Sequence, residues 1–249
     1  MADKITFFWG HIHPERTDVQ LSLPELSFGP GPSELTTVQI CVAKSQISLR
    51  VDGEPPFDLD TLRNVLTSIV TAGVDSLGFA NGCGYTVEIV GCHGYLGQRI
   101  FGVGIPLLQK LTPNVEDEVA RILPLVINDP EGKQRPLRRA LTEFRHAILE
   151  PDDTPFHCFR AVEALMYYFD RNPRRGREPL CKALQIDNDW LTKTLEVPAG
   201  EIRHGKVVPV SESDRARSFR AAKEIISRFI TLAESKVNQL SVDRFPVLR

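Results

Sequence analysis

The amino-acid sequence predicts an α+β protein in which an antiparallel or mixed sheet with one helix is followed by a helical bundle. Short segments rich in β-branched and aromatic residues fill roughly the first hundred positions, and Pro, Gly, Ser and Asp bound them. Apolar residues then recur at helical spacing through the second half, after a glycine-rich passage. We therefore expect a β-rich domain over residues 1–110, a helical domain over 112–240 and a tail over 241–249.

The strand segments are ITFFWGHIH, VQLSLPELSF, TVQICVAK, ISLRVDG and YTVEIVG. Between the fourth and the fifth, FDLDTLRNVLTSIVTAGVDSLGF places Leu62, Val65, Ile69 and Val70 at helical spacing behind an Asp-rich start. Gly73 is expected to stop or break this helix. The helix should cover one face of the sheet.

Four segments of the second half predict long helices, beginning near Asn114, Arg135, Thr154 and Ser211. Thr154 followed by proline has the pattern of an N-cap with Pro at the first helical position. Ser211 and Asp214 resemble a capping box at the start of the last helix. The order of these segments predicts a bundle.

Composition limits the function classes. The 249 residues carry 30 Lys+Arg against 32 Asp+Glu, a formal net charge of -2, so any binding to nucleic acid must be local. Five cysteines without a C-x-x-C pair favour a reducing cytoplasm. Apolar runs fall short of the roughly 20 residues that span a bilayer, so we expect a cytoplasmic protein with no membrane contact.

The glycines and histidines of the first half do not predict a cofactor or metal site. Glycine-rich GCGYTVEIVGCHGYLGQRIFGVG lacks the Gly-Lys-Ser/Thr ending of a phosphate loop. His11 and His13 would lie on one face of a strand, with Cys92 or His93 as a conceivable third ligand. Two strand histidines are more often surface or half-buried residues, and we expect neither metal nor cofactor.

Basic residues cluster at RPLRR, residues 135–139, and at RNPRRGRE, residues 171–178. The second cluster, with Arg174, Arg175 and Arg177, is expected in a flexible connection between helices, where guanidinium groups can bind phosphates without reading sequence. The alternative is an ordinary solvated surface.

The helical half resembles the HEPN superfamily over roughly residues 135–237. The resemblance rests on the order of the helices, on Phe159, Arg160 and Glu163 in the Phe-Arg-x-x-Glu of one helix, and on the His204-Gly205 step before the last helix. It implies a metal-independent ribonuclease fold, commonly a homodimer, and a toxin or anti-phage context.

The signature implied by this resemblance is an Arg, four to six intervening residues and a His. Before His204, the candidate catalytic residue, the matching positions hold Val197, Pro198 and Ala199. Arg203 is adjacent and diverges by about 100° on a helix, unless Pro198 and Gly200 impose a non-helical backbone. Elsewhere six residues separate Arg139 from His146, a match that we interpret as coincidence because it lies on the first helix of the bundle.

The sequence therefore predicts a HEPN-like protein that binds rather than cuts. The expected ligand is RNA, a nucleotide or a partner protein, and the expected groove contains Arg160, Glu163, Arg203 and His204. The same Arg160 and Glu163 are equally a helix-surface ion pair. Two alternatives stay open: an active ribonuclease that uses His204, and a structural adaptor without a ligand site.

Overall fold

A sheet with one helix precedes a mainly helical region, which confirms the predicted α+β class. The structure is a computed structural model, and it describes residues 4–29, 35–102, 104–112, 114–129, 132–203 and 210–249. The chain divides into two compact units, Met1–Val103 and Gly104–Arg249. Each unit has its own hydrophobic core.

The first unit is built on an antiparallel sheet in the order β2-β4-β5-β1-β6-β7, with β3 also paired to β4. The strands are β1 (Ile5–His13), β2 (Leu21–Ser22), β3 (Leu26–Phe28), β4 (Thr36–Ala43), β5 (Gln46–Asp52), β6 (Thr86–Gly94) and β7 (Arg99–Ile100). Buried and more exposed side chains alternate along β4 and β5, so one sheet face is in the core and the other is open.

Helix α1 (Leu59–Asn81) covers the core face of the sheet. Asp58 caps it by accepting hydrogen bonds from the backbone of the first turn. The prediction that Gly73 stops or breaks this helix is wrong, because α1 continues to a left-handed Gly82. A Cβ at Gly73 would lie 2.8 Å from a methyl group of Leu23, so glycine serves close packing there.

The second unit contains the predicted bundle. Its helices are α2 (Pro106–Lys110), α3 (Val115–Ile127), α4 (Arg135–Leu149), α5 (Thr154–Phe169), α6 (Pro173–Leu184), α7 (Asn188–Leu191), α8 (Val197–Arg203) and α9 (Glu212–Ser235). A π-helical turn, Thr192–Glu196, joins α7 to α8. Helix α5 is central and contacts α4, α6, α8 and α9.

Of the two predicted N-caps, Ser211 of α9 is confirmed and Thr154 of α5 is wrong. The Ser211 hydroxyl accepts a hydrogen bond from Asp214 N at 3.1 Å, which confirms the cap of α9. Thr154 is not the N-cap of α5, because a 3-10 turn, Pro151–Asp153, runs directly into the helix. The Thr154 hydroxyl instead donates to the carbonyl of Ala147 at 3.0 Å and ties α5 to α4.

Candidate functional site

A continuous polar network lies where α4 and α5 meet. The buried carboxylate of Glu143 contacts His157 Nδ1 at 2.8 Å and also pairs with Arg139. The opposite ring nitrogen of His157 lies 3.1 Å from Glu150 Oε2, and the other oxygen of Glu150 lies 2.7 Å from His146 Nδ1. The two imidazole rings stack with centroids 5.3 Å apart. Arg139 and His146 thus contact the two ends of one hydrogen-bonded chain.

Glu143 is the most buried charged group of this network, with a side chain only 4% exposed. Burial alone would raise the pKa of its carboxyl group. The hydrogen bond from His157 and the charges of Arg139 and His157 outweigh burial, so the pKa is lowered from its usual value. Glu143 is therefore a fixed anion that orients both partners.

A pocket of about 250 Å³ opens beside the network. Its lining residues come from adjacent turns of α4 and α5: Arg135, Pro136, Arg139, Arg160, Ala164 and Tyr167. Ala164 is buried, while Tyr167 is half exposed. Three arginines and one tyrosine thus line one opening, and these side chain types suit a phosphate attached to a flat ring.

Three residues of the predicted groove lie together on α5 and α8. Glu163 accepts a hydrogen bond from Arg160 Nη1 at 2.9 Å, and Arg203 Nη1 lies 4.0 Å from the other carboxylate oxygen. Glu163 is mostly buried, whereas both arginines are about half exposed. The carboxylate therefore holds two cations at the surface of the bundle, and Arg160 connects this group to the pocket.

His204, the predicted catalytic residue, lies outside the described residues. The segment before it is helical over Val197–Arg203, with Pro198 in its first turn. The non-helical backbone that Pro198 and Gly200 make conceivable is therefore not adopted over that segment. The positions that should hold the signature arginine lie on α8 and carry no cation.

The arginines of the second basic cluster lie on α6, not in the flexible connection that the sequence predicts. Asn172 caps this helix by accepting from Arg174 N at 3.0 Å, and Pro173 occupies its first turn. Arg174 and Arg175 are exposed. Arg177 points inward and donates to Asn188 and Thr192 side chains at 2.6 Å and to Glu196. These hydrogen bonds connect α6 to α7 and to the π-helical turn that precedes α8.

Among the residues that the structure describes, the strand histidines of the first unit form no three-ligand group with Cys92 or His93. His11 and His13 lie on the open face of the sheet, with ring centroids 6.2 Å apart, and His13 contacts Glu88 at 3.0 Å. Cys92 pairs in register with Phe8, and both are buried in the core on the opposite face. The sheet itself therefore separates this thiol from the two imidazoles.

Aromatic residues cover another part of the same open face. His93 stacks on Phe7 at 5.6 Å, and the indole of Trp9 lies over Gly91, where a Cβ would come within 2.4 Å of the ring. A shallow pocket of about 390 Å³ lies along these rings, with Arg50 on its border. Exposed aromatic rings on this face can contact a flat or apolar group.

Family comparisons cover both units of the chain. Residues 6–95 match the profile described as the Domain of unknown function (DUF8168) N-terminal domain, and residues 121–234 match the corresponding C-terminal domain. The chain carries both DUF8168 domains. No curated protein and no solved structure matches it. In the described part of this DUF8168 chain, no helix combines the length and hydrophobicity needed to cross a bilayer.

Proposed function

We propose that the helical unit is a HEPN-like domain that binds single-stranded RNA at the pocket between α4 and α5 without cutting it. The observation that carries the proposal is the convergence of Arg135, Arg139 and Arg160 on one opening of about 250 Å³. The resemblance adds support, because Arg160 belongs to its Phe-Arg-x-x-Glu segment on α5.

Ion pairing leaves these arginines able to bind a phosphate. A guanidinium has five N–H donors in a planar fork, and one carboxylate uses only part of them. Arg139 is paired to Glu143 and Arg160 to Glu163, yet their side chains remain 61% and 41% exposed. The carboxylates therefore hold each guanidinium in place while part of each arginine side chain stays accessible to a ligand.

Tyr167 favours a nucleic acid over a free phosphate as the ligand. Its ring stands half exposed at the pocket edge, one helical turn beyond Ala164. An unpaired base can stack on such a ring, and stacking of this kind is tolerant of sequence. The three arginines and the ring together fit one nucleotide of a single strand.

Binding without cleavage is the expected outcome with purified full-length protein and an end-labelled single-stranded RNA. Fluorescence anisotropy should show saturable binding, and a denaturing gel of the same samples should show intact RNA. The His204→Ala variant is run beside it, because the ribonuclease alternative assigns proton transfer to this histidine. RNA cleavage that is lost in His204→Ala would overturn the binding-only function.

We also expect a homodimer, as the HEPN resemblance implies, through an exposed surface of the helical unit. The apolar residues of α5 are largely buried in their own unit. Helix α3 instead exposes an apolar stripe with one residue on each successive turn: Val115, Val119, Leu123 and Ile127.

Charge placed on this stripe should separate the subunits. Val119→Glu is expected to raise the dimer dissociation constant about tenfold or more, because it would bury an unpaired carboxylate. Ala72→Glu is the control, since it adds the same charge at an exposed position of another helix, α1 of the first unit. Light scattering at a series of concentrations measures the dimer dissociation constant of the variant and of the control. A wild-type monomer at micromolar concentration and low salt would exclude the dimer.

A further inference from the structure

Three metal-ligating side chains converge in the tight connection between α4 and α5. Glu150 ends α4, Asp153 closes the 3-10 turn, and His157 lies in the first turns of α5. One donor atom from each residue lies within 4.8 Å of the other two. The set combines one imidazole nitrogen with two carboxylate oxygens.

The imidazole of His157 is already oriented for a cation. Its Nδ1 lies 2.8 Å from the buried Glu143 carboxylate, which fixes this nitrogen as the proton donor. A buried carboxylate behind a histidine in this way is the arrangement that orients histidine ligands in metal sites. The opposite nitrogen, Nε2, then faces Glu150 Oε2 at 3.1 Å.

The contact between His157 Nε2 and Glu150 Oε2 requires a positively charged atom between the two. In the neutral ring with its proton on Nδ1, the Nε2 lone pair would face a carboxylate oxygen, and two acceptors repel each other. Either a second proton or a metal ion must lie between them. Asp153 supplies a second carboxylate to the same cluster, so a divalent ion there would bind one nitrogen and two oxygen ligands of the chain.

We propose that Glu150, Asp153 and His157 form a binding site for one divalent first-row transition ion of the zinc class. Ligands about 2.1 Å from a tetrahedral ion lie about 3.4 Å from one another. His157 Nε2 and Glu150 Oε2, 3.1 Å apart, are already near that spacing, and one oxygen of Asp153 completes the set within 4.8 Å. One imidazole among oxygen ligands suits Zn²⁺, Co²⁺ or Mn²⁺ better than Mg²⁺. The proposal does not depend on RNA binding.

The test uses full-length protein freed of metal with a chelator and titrated with Co²⁺, then with Zn²⁺. We expect one Co²⁺ per chain, a visible spectrum typical of nitrogen and oxygen ligands, and displacement by Zn²⁺ but not by an equal concentration of Mg²⁺. Asp153→Asn and Glu150→Gln should each weaken binding at least tenfold. Glu143→Gln should weaken it about tenfold without removing a ligand, because it releases the His157 ring.

The matched control is Asp152→Asn, which removes the same charge from an exposed neighbour outside the group. Circular dichroism establishes that each variant is folded. A thiolate-to-cobalt band would place the ion at an exposed cysteine, Cys41 or Cys83, and would overturn the proposal. So would an equal loss of affinity in Asp152→Asn and Asp153→Asn, or no saturable binding in the wild-type protein.

Discussion

Replacing Arg139 and Arg160 together with alanine is expected to weaken binding of single-stranded RNA about 100-fold. Each hydrogen bond to a charged group contributes about 1.5–3 kcal/mol, so two lost phosphate contacts at the lower end give about 3 kcal/mol. The slope of log K against log salt should fall by about 1.4, because each phosphate contact on a single strand contributes about 0.7. Anisotropy titrations at several salt concentrations give both quantities.

The matched control removes the same charge at another place. Arg174→Ala with Arg175→Ala takes two exposed arginines from the start of α6, away from the pocket lining. If the pocket binds RNA, this pair should change the affinity by less than about tenfold. Equal losses in the two double variants would mean diffuse attraction to a basic surface and would exclude the pocket as the site. Thermal melts separate a binding loss from unfolding, since Arg139 also contacts Glu143.

Much of the polar network could have been predicted from one helix. Arg139, Glu143, His146 and Glu150 follow a four-three-four spacing on α4, which places all four on one face. Arg139 and His146 alone do not indicate this polar face, because it is completed by Glu143 between them and by Glu150 after them. His157 could not be added from spacing, since its position depends on the sharp turn, Pro151–Asp153, that brings α5 back along α4.

The second basic cluster is expected in a flexible connection but lies on α6, and the reason is local. Several arginines around a glycine indicate a solvated loop, but Asn172 followed by Pro173 is the pattern of a helix start. Gly176 is required by packing, since a Cβ there would lie 2.1 Å from the carbonyl oxygen of Met166 on α5. The inward direction of Arg177 follows from this close crossing of α5 and α6, and helix periodicity alone does not encode the crossing.

The last nine residues make backbone contacts with the bundle that helix periodicity does not predict. We expect a tail over residues 241–249, whereas Leu248 exchanges backbone hydrogen bonds of 3.0 Å with Gln185 and Asp187 after the end of α6. Arg228 of α9, only 4% exposed, donates to the carbonyls of Gln185 and Pro246 at 3.0 Å. One buried cation therefore links α9, the end of α6 and the C-terminal segment.

Arg228→Ala is accordingly expected to lower the free energy of unfolding of the helical unit by about 3 kcal/mol. Loss of this guanidinium removes its hydrogen bonds to the carbonyls of Leu184, Gln185 and Pro246, and hydrogen bonds to a charged group contribute about 1.5–3 kcal/mol each. The melting midpoint, followed by helical circular dichroism, should fall by roughly 6–12 °C for a unit of this size. Arg228→Lys should lose nearly as much, because one ammonium group cannot reach carbonyls on two sides.

Arg220→Ala provides the control, since Arg220 is an exposed arginine on the same helix. Its loss should shift the midpoint by no more than a degree or two, as expected for an exposed side chain. Equal shifts of the midpoint in Arg220→Ala and Arg228→Ala would mean that the stability of the helical unit depends on total charge and not on the buried position of Arg228. A larger shift in Arg228→Ala alone, together with faster proteolysis within residues 241–249, would mean that the buried guanidinium holds the C-terminal segment on the bundle. That segment would then be an integral part of the domain, because its Pro246 carbonyl accepts a hydrogen bond from the buried guanidinium.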